Sequence, residues 1–349
     1  MTDLATQQPV VAGSADPAIA ERDPELVRRL EDHRREIAGY CYRMLGSTFE
    51  TDDAVQETMV RAWRALPRFD GRSSLRTWLY RIATNVCLDA LNGRNRRALP
   101  MDFGPASPPI ESSLGSPRAE SLWIQPVPDR AVLAGGDPAD LALERDSIRL
   151  AFVAALQHLP PRQRAVLILR EVLRWSAAEV SELLNTTVAS VNSALQRARA
   201  TLAAAGPGSD DRFDPMDRAQ TELLERYVAA FTAYDITSLV ELLQEEATAS
   251  MPPYQLWLDG REDIARWHLG PGAGCSGSVL VPVQASGSAA FAHYRPSPDG
   301  HLPFAIQVLE LTDSRISRIT YFLDTSLFER FGLPARMSAP AQSDSGPQQ

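Results

Sequence analysis

Arginine, aromatic and amide side chains accumulate between residues 68 and 97, and this combination can bind nucleic acid. Seven arginines stand here against two aspartates. Guanidinium groups pair with phosphates, while rings and amides stack on bases or hydrogen-bond to them, also in separated single strands. The rings of Trp78 and Tyr80 can stack in this way or pack in the core, and the sequence leaves both alternatives open. We predict DNA contacts from eight side chains: Arg72, Ser73, Arg76, Arg81, Asn85, Arg94, Arg96 and Arg97.

A short acidic and amide face precedes the basic stretch. Asp53, Gln56 and Glu57 are spaced i, i+3 and i+4, so a helix places all three on one side, opposite an apolar stripe. Such a face can dock on a partner protein, or it can simply be solvated. Three residues taken alone favour the solvated alternative.

A helix-turn-helix pattern covers residues 175–202. A short apolar helix leads to Asn185, a residue type that tolerates the left-handed backbone of a turn. The next helix, capped by Thr186 or Thr187, has an apolar stripe that begins at Val188. Its opposite face can enter a major groove. We predict DNA contacts there from Thr187, Ser190, Asn192, Ser193, Gln196, Arg197 and Arg199.

Amphipathic helices would hold the first two groups of side chains in place. Apolar residues at spacings of three and four predict one helix from its cap Thr51 to Pro67 and another that starts at Leu75. A third helix is predicted from Glu25 to Leu45. Together they form a small bundle, so the acidic face and the basic stretch belong to one module.

These blocks resemble a known family. DDAVQETMVRAWRAL and FDGRSSLRTWLYRIATNVCLDAL look like the second conserved region of bacterial RNA polymerase sigma factors of the extracytoplasmic-function (ECF) group. LPPRQRAVLILREVLRWSAAEVSELL is similar to the fourth region of that group. The resemblance implies that Asp53, Gln56 and Glu57 dock on the clamp helices of the largest subunit of core RNA polymerase. It also implies that residues 68–92 open and bind the minus-ten element of promoter DNA.

The resemblance assigns two contacts to the second module. The fourth region of the family touches the polymerase flap and reads the minus-thirty-five element. Asn192 and Ala194 depart from the family pattern, because Lys or Arg often stands at these positions. Fewer phosphate contacts should weaken the intrinsic DNA affinity, so recognition would depend more on the polymerase.

A proline-rich linker separates the two modules. Residues 100–140 contain eight prolines, a composition that cannot build a packed core of its own. SLWIQPVPD within it is too apolar for a passive tether, so we predict that Trp123, Pro126 and Asp129 dock on another surface. A local apolar patch without a specific partner is the alternative. In the family this linker runs towards the polymerase active centre, and subgroups with an extra C-terminal domain carry a similar Trp-Pro-Asp motif.

Charge is distributed unevenly along the 349 residues, whose net charge is −9. Residues 22–100 carry fifteen arginines against eleven acidic residues, and residues 146–205 carry seven against four. Residues 206–349 carry ten arginines against nineteen acidic residues. Two mildly basic modules are therefore joined to an acidic one, which agrees with DNA binding by the first two.

The third part combines helices with a later set of strands. Helices are predicted around residues 223–231 and 236–243, and strands at 278–284, 289–294, 304–311 and 315–322. This order resembles the SnoaL-like branch of the ketosteroid-isomerase-type cone fold, which some ECF sigma factors carry after the fourth region. The resemblance implies a pocket for a small-molecule ligand, and we assign Trp257, Trp267, His293 and Tyr321 to it.

No residue pair in the third part has a spacing that demands catalysis, so we predict a regulatory domain and not an enzyme. Its acidity suggests that it shields the basic modules. Cys41, Cys87 and Cys275 lack metal-ligand spacing, and we predict no metal and no cofactor. No membrane-length apolar run or signal peptide is evident, which predicts a cytoplasmic protein without membrane contact.

The predicted fold is multidomain, with two all-α sigma modules, a helical bundle and a helix-turn-helix, followed by an α+β cone-shaped domain. Seven segments result: a disordered tail at 1–21, region 2 at 22–99, the linker at 100–140, region 4 at 141–205, a spacer at 206–215, the cone domain at 216–333 and a disordered tail at 334–349. The predicted function is an alternative sigma factor modulated by its cone domain. Two alternatives stay open: a helix-turn-helix regulator that acts without polymerase, and a cone-domain isomerase or cyclase fused to DNA-binding modules.

Overall fold

The computed structural model describes residues 24–135, 137–205, 213–312 and 314–337. The predicted tail at 1–21 lies outside these residues, as do residues 206–212 of the predicted spacer and residues 338–349 of the predicted C-terminal tail. Two helical modules, a folded linker and a sheet domain make up the described chain.

Four helices build the first module: α1 (Pro24–Asp32), α2 (Arg34–Leu45), α3 (Thr48–Ala65) and α4 (Leu75–Leu91). Ser74 caps α4 by accepting a hydrogen bond from the Thr77 amide at 3.0 Å. Ser47 caps α3 in the same way through the Glu50 amide. The prediction that Thr51 caps α3 is wrong, because Ser47 starts the helix earlier and leaves Thr51 one turn inside it.

The described linker contributes three 3₁₀ turns and one short α-helix, α5 (Asp129–Val132). The second module contributes α6 (Pro138–Ile148), α7 (Leu150–Gln157), α8 (Pro161–Leu167), α9 (Ala177–Leu183) and α10 (Val188–Ala205). A π-helical turn, Ile168–Val172, extends α8. Asn185 has a φ of 49°, which confirms the predicted left-handed turn between α9 and α10. Thr187 is the cap of α10, since its hydroxyl accepts from the Ser190 amide at 3.1 Å. Val188 is 44% exposed, so its predicted place in the core is wrong.

The third domain combines four helices with one six-stranded sheet. The helices are α11 (Arg218–Ala233), α12 (Ile236–Glu241), α13 (Arg261–Leu269) and α14 (Leu327–Arg330). The strands are β1 (Leu243–Ser250), β2 (Trp257–Asp259), β3 (Val279–Ala285), β4 (Ser288–Ser297), β5 (Gly300–Thr312) and β6 (Arg315–Phe322). Their order is β2-β1-β6-β5-β4-β3, with β1 parallel to β6 and the other pairs antiparallel. The four predicted strands are confirmed as β3 to β6, whereas β1 and β2 were not predicted.

The two faces of the sheet belong to different hydrophobic cores. Side chains alternate along a strand, so Phe291 of β4 points to the domain interior with Tyr227 and Phe231 of α11. Ala290 and Ala292 point the other way, into a core that the sheet shares with the linker and both helical modules. The outer face of the sheet is therefore covered by the rest of this chain.

Candidate nucleic-acid and polymerase interfaces

The polar face of α3 is accessible to a partner. Asp53, Gln56 and Glu57 are all exposed and lie on one side of the helix. Glu57 pairs with Arg61 on the next turn at 2.6 Å. At the edge of the same face, the Arg330 guanidinium of α14 lies 2.6 Å from the Asp52 carboxylate, so the last helix of the sheet domain borders this surface.

Five of the eight side chains predicted to contact DNA in the basic stretch are exposed: Arg72, Arg81, Asn85, Arg94 and Arg96. Arg72, in the loop before the helix, pairs with Asp70 at 2.5 Å, while Arg81 and Asn85 project from the helix surface. Arg94 is exposed and pairs with Glu50. Ser73 is half-buried in the loop. These groups lie on the helix and close to its two ends.

Arginines of the stretch also bond to other parts of the molecule, although Arg96 stays exposed. Arg97 is 4% exposed, and its Nη1 donates to the Trp123 carbonyl at 2.5 Å while the Glu50 and Glu120 carboxylates lie close by. Arg76 pairs with Glu36 at 2.8 Å. Arg96 donates to the His158 ring at 2.6 Å. The position of Arg97 does not match the predicted DNA contact, because the linker covers it in this arrangement.

The rings of the stretch differ in their surroundings. Tyr80 is fully buried, with ring centroids 5.2 Å from Tyr40 and 5.1 Å from Trp175 of the second module. Arg76 lies over both the Tyr80 and Trp175 rings, at 5.2 and 5.4 Å. Trp78 is half-buried against Phe69. Of the two alternatives, base stacking and core packing, the structure shows core packing for Tyr80. Its ring is part of the contact between the two modules.

The recognition helix α10 presents its predicted face to solvent. All seven predicted residues are exposed, whereas Val191, Leu195 and Ala198 are buried on the opposite side. Arg199 pairs with Glu171 at 2.6 Å, and Arg197 is also exposed. A helix exposed in this way can enter a major groove with its polar side chains forward.

A buried arginine ties the two modules together. Arg164 of α8 is 3% exposed and donates to the carbonyl of Met44 at the end of α2. It also donates to the Gln157 side chain at 2.6 Å and to the Leu159 carbonyl at 3.2 Å. Burial lowers the pKa of Arg164 to about 10. The sequence analysis did not single out this residue, since nothing in the local pattern shows that Met44 would lie opposite it.

The apolar motif of the linker is packed against both the sheet domain and the first helical module. Trp123, Pro126 and Asp129 are buried. The Gly287 amide donates to the Asp129 carboxylate at 2.8 Å. The Ser286 amide donates to the Val127 carbonyl at 2.9 Å, and the Val127 amide donates to the Ser286 hydroxyl at 3.1 Å. Burial raises the pKa of the Asp129 carboxyl to about 6, against the lowering effect of the Gly287 hydrogen bond.

The docking hairpin was missed by sequence reasoning. Ser286 and Gly287 join β3 to β4, and both have a positive φ, 52° and 64°. A Cβ at Gly287 would lie 2.3 Å from the Arg145 carbonyl oxygen, so only glycine permits this approach. The Ser-Gly pair between two apolar runs is a hairpin signal, but no local signal shows what its tip contacts.

The interior of the sheet domain holds a buried polar chain. The Tyr227 hydroxyl donates to Gln307 at 2.7 Å, and the Gln307 amide lies 3.1 Å from Nδ1 of His293. The Tyr321 hydroxyl lies 3.4 Å from Nε2 of His268. Burial lowers the pKa of His293 to about 3 and that of His268 to about 4, so both imidazoles are neutral at pH 7.

The four predicted pocket residues have different surroundings in the described structure. Trp267, His293 and Tyr321 are buried in the interior, but Trp257 donates its indole N–H to the Gly104 carbonyl of the linker at 3.0 Å. A cavity of about 620 Å³ lies elsewhere in the described domain, between α11 and strands β3 and β4. None of the four lines it; Leu224, Val228, Pro282 and Phe291 do.

Both helical modules match models of known protein families. The family model for Sigma-70 region 2 matches residues 30–97, and that for Sigma-70, region 4 matches residues 149–202. The ECF RNA polymerase sigma factor SigG of Mycobacterium tuberculosis is 47% identical over 317 residues, which cover 90% of this chain and 85% of that protein. This chain belongs to the ECF RNA polymerase sigma factors. It is an alternative sigma factor that directs transcription.

Similarity to other ECF sigma factors varies in extent. SigW of Bacillus subtilis is 29% identical over 170 residues, 49% of this chain and 82% of that protein. The crystal structure of SigJ of Mycobacterium tuberculosis has a TM-score of 0.57 at 20% identity and covers 90% of this sigma factor and 100% of that chain. The likeness to SigJ therefore includes the fold of the third domain, which has the cone-shaped α+β architecture predicted from the sequence.

The described residues of this sigma factor contain neither a metal-ligating group nor a membrane-spanning helix. Within 24–135, 137–205, 213–312 and 314–337, no three His, Cys, Asp or Glu side chains form a group that could hold a metal ion. In the same residues no helix has the length and apolar character needed to span a membrane. Cys41 and Cys87 are buried, and Cys275 is partly buried.

Proposed function

We propose that this sigma factor binds core RNA polymerase through Asp53, Gln56 and Glu57 and promoter DNA through the basic stretch and helix α10. The exposed polar face of α3 and the exposed polar face of α10 support these roles. The clamp helices and the flap are the polymerase surfaces that the family resemblance implies for the two modules. The minus-ten and minus-thirty-five elements are the corresponding DNA partners.

The arrangement of the modules supports a conformational step before promoter recognition. The minus-ten and minus-thirty-five elements lie roughly 25 base pairs apart, about 85 Å along duplex DNA. In this structure the two modules share a core, with Trp175 against Tyr80 and Arg164 bonded to Met44. Modules in direct contact cannot read two elements at that separation, so they must move apart.

The linker is long enough for this movement. Its roughly 40 residues span at most about 130 Å when extended. In this structure Trp123, Ile124 and Val127 are buried, so the reach becomes available only when the linker leaves the shared core. The cone domain contributes part of that core through Ala290 and Ala292. We infer that undocking of the cone domain and separation of the modules are coupled, which makes the cone domain a modulator of sigma activity.

A regulatory cone domain is favoured over a catalytic one. General-base catalysis works best with a group whose pKa lies near the working pH. The interior imidazoles have pKa values of about 4 and about 3, and the Tyr227 hydroxyl has a pKa well above its usual value because it is buried. The outer face of the sheet is occupied by the linker and the helical modules. These features support a domain that docks on the rest of the chain over one that catalyses a reaction.

Run-off transcription with core polymerase tests the assignment. The full chain is compared with a triple variant, Asp53→Ala, Gln56→Ala and Glu57→Ala, on genomic promoter fragments. We expect discrete transcripts from the unmodified chain and none from the triple variant, with unchanged circular dichroism. A control variant, Glu31→Ala with Asp32→Ala, removes exposed acidic groups from α1 and should keep transcription. Equal transcription by the triple variant would refute the docking role of the α3 face.

A further inference from the structure

The leading end of the recognition helix carries an exposed apolar residue. Val188, the first residue of α10, is 44% exposed. The other large apolar side chains among the described residues of this helix are buried or half-buried. A hydrogen bond at 3.1 Å from the Ser190 amide to the Thr187 hydroxyl fixes this end of the helix. Val188 therefore presents its methyl groups to any partner that α10 docks on.

Two carboxamides follow Val188 along the same stripe of the helix. Val188, Asn192 and Gln196 are spaced i, i+4 and i+8, which places them one above another on a helix surface. All three are exposed, and the stripe of Val191 and Leu195 beside them is buried. A docked α10 thus presents one isopropyl group at its leading end and two amides behind it.

The partner that fits this module is duplex DNA. Residues 146–205 carry seven arginines against four acidic residues, and residues 149–202 match the model for Sigma-70, region 4. In helix-turn-helix proteins the N-terminal residues of the second helix contact base edges in the major groove. The apolar group of that groove is the 5-methyl of thymine, and Asn or Gln bonds bidentately to N6 and N7 of adenine.

Guanine is read mainly by arginine or lysine, and the leading end of α10 has neither. The helix contains two arginines, Arg197 and Arg199, and no lysine. Arg199 already pairs with Glu171 at 2.6 Å. Arg197 lies about 14 Å along the helix axis from Val188. The leading end therefore matches A·T base pairs better than G·C pairs.

We propose that α10 selects A·T base pairs at its leading end, with Val188 against a thymine methyl group and Asn192 bonded to N6 and N7 of an adenine. The two residues are about 6 Å apart along the helix axis, which corresponds to roughly two base-pair steps. Val188 is thus a specificity residue outside the set predicted from the sequence. The inference rests on the proposed function, which brings α10 into the major groove of the upstream element.

Selection of duplexes from a pool with a randomised central segment tests the base preference. The full chain, alone and with core polymerase, should enrich A·T pairs at two positions roughly two base pairs apart. Val188→Ala should relax the selection at one position and Asn192→Ala at the other, with a loss of about tenfold in affinity for Asn192→Ala. Unchanged selection by both variants overturns the proposal.

Deoxyuridine isolates the thymine contact, because it lacks only the 5-methyl group. Replacing the selected thymine by deoxyuridine should weaken binding of the unmodified chain about fourfold in fluorescence anisotropy, and should not weaken binding of Val188→Ala. Leu143→Ala removes an exposed aliphatic side chain from α6 of the same module and should keep the fourfold effect. Equal affinity of the unmodified chain for thymine and deoxyuridine at every selected position overturns the Val188 contact.

Arg197→Ala separates this inference from the proposed function. It should weaken binding to all duplexes alike, because a phosphate contact carries no sequence information. If Arg197→Ala weakens binding but deoxyuridine and thymine are bound equally, α10 contacts DNA as proposed and the thymine reading is wrong. If the methyl effect is present but core polymerase gives no transcripts, the reading by α10 stands and the polymerase role fails. If neither substitution changes binding, both proposals for α10 are overturned.

Discussion

The recognition helix α10 and the basic stretch around α4 carry the same kind of chemistry but differ in what surrounds it. Arg197 and its neighbours on α10 are exposed along the whole predicted face. On the basic stretch, Arg97 is buried under the linker and Arg76 is enclosed by Glu36, Tyr80 and Trp175. While the two modules are packed against each other, which we call the closed arrangement, the second module therefore exposes the face proposed to bind DNA, whereas part of the first module's proposed face is engaged internally. Availability of a basic surface depends on the packing around it.

Removing Arg164, which joins the two modules, should have the largest effect on stability of all the substitutions considered. Arg164→Leu leaves the carbonyls of Met44 and Leu159 and the Gln157 side chain without their donor. We expect the free energy of unfolding to fall by about 3 kcal/mol in urea titrations. Arg162→Leu, an exposed position on the same helix, should change it by less than about 0.5 kcal/mol. Equal effects would mean that Arg164 does not hold the modules together.

Removing the negative charge of the Asp129 carboxyl should raise the free energy of unfolding. The pKa of Asp129 is raised to about 6, so the folded state binds the proton more tightly than the unfolded state. Stability should therefore fall as the pH rises from about 4 to about 6 and stay level above that range. Asp129→Asn keeps an oxygen for the Gly287 amide and removes the charge, which should add about 2 kcal/mol at pH 7.5.

Urea titrations at pH 5 and pH 7.5 check the Asp129 prediction. The asparagine variant should lose the pH dependence assigned to this group. Asp140→Asn, at an exposed position of α6, serves as the control and should leave the dependence intact. A destabilised Asp129→Asn variant at pH 7.5 would contradict the inferred cost of the buried charge.

Two arginine substitutions test the contrast in exposure directly. Arg197→Ala should lower promoter duplex affinity by roughly 1 kcal/mol and reduce the salt slope of binding by about 1, with no change in stability. Arg97→Ala should leave the duplex affinity of the full chain unchanged and lower the free energy of unfolding, because its ion pairs with Glu50 and Glu120 are lost. Fluorescence anisotropy at several salt concentrations measures the duplex affinity of both variants, and urea titrations measure their free energy of unfolding. An equal loss of affinity in both variants would remove the distinction between the two surfaces.

The smallest effect is expected where the cone domain borders α3. Arg330 pairs with Asp52 at 2.6 Å and lies over the Phe49 ring at 5.1 Å, but both charged groups are well exposed. Arg330→Ala should therefore cost at most about 1 kcal/mol in thermal or urea unfolding. Arg336→Ala, another exposed arginine near the C-terminal end of the cone domain, is the control. A loss of several kcal/mol would show that this contact contributes more to closure than its exposure indicates.

Local patterns predicted the elements that carry the interfaces. Periodicity gave α3, α4 and α10, and residue type gave the turn at Asn185. The acidic run of β1 concealed a strand, because Gln and Glu side chains at 244–246 do not show the apolar alternation of a half-buried strand. Trp257 was assigned to the pocket that the cone-fold resemblance implies, but no local pattern showed that its indole N–H would donate to the linker carbonyl of Gly104.

The sequence by itself determined the helices, the recognition turn and the family to which this chain belongs, since these depend on residues close together along the chain. Only the tertiary structure decided that Arg97 is buried and Arg197 exposed, although both are arginines in predicted DNA-binding segments. It also decided that the Ser286 and Gly287 hairpin meets the linker at Val127 and Asp129. The physical reason is that exposure and docking depend on segments distant in sequence, and their positions follow from packing of the whole chain.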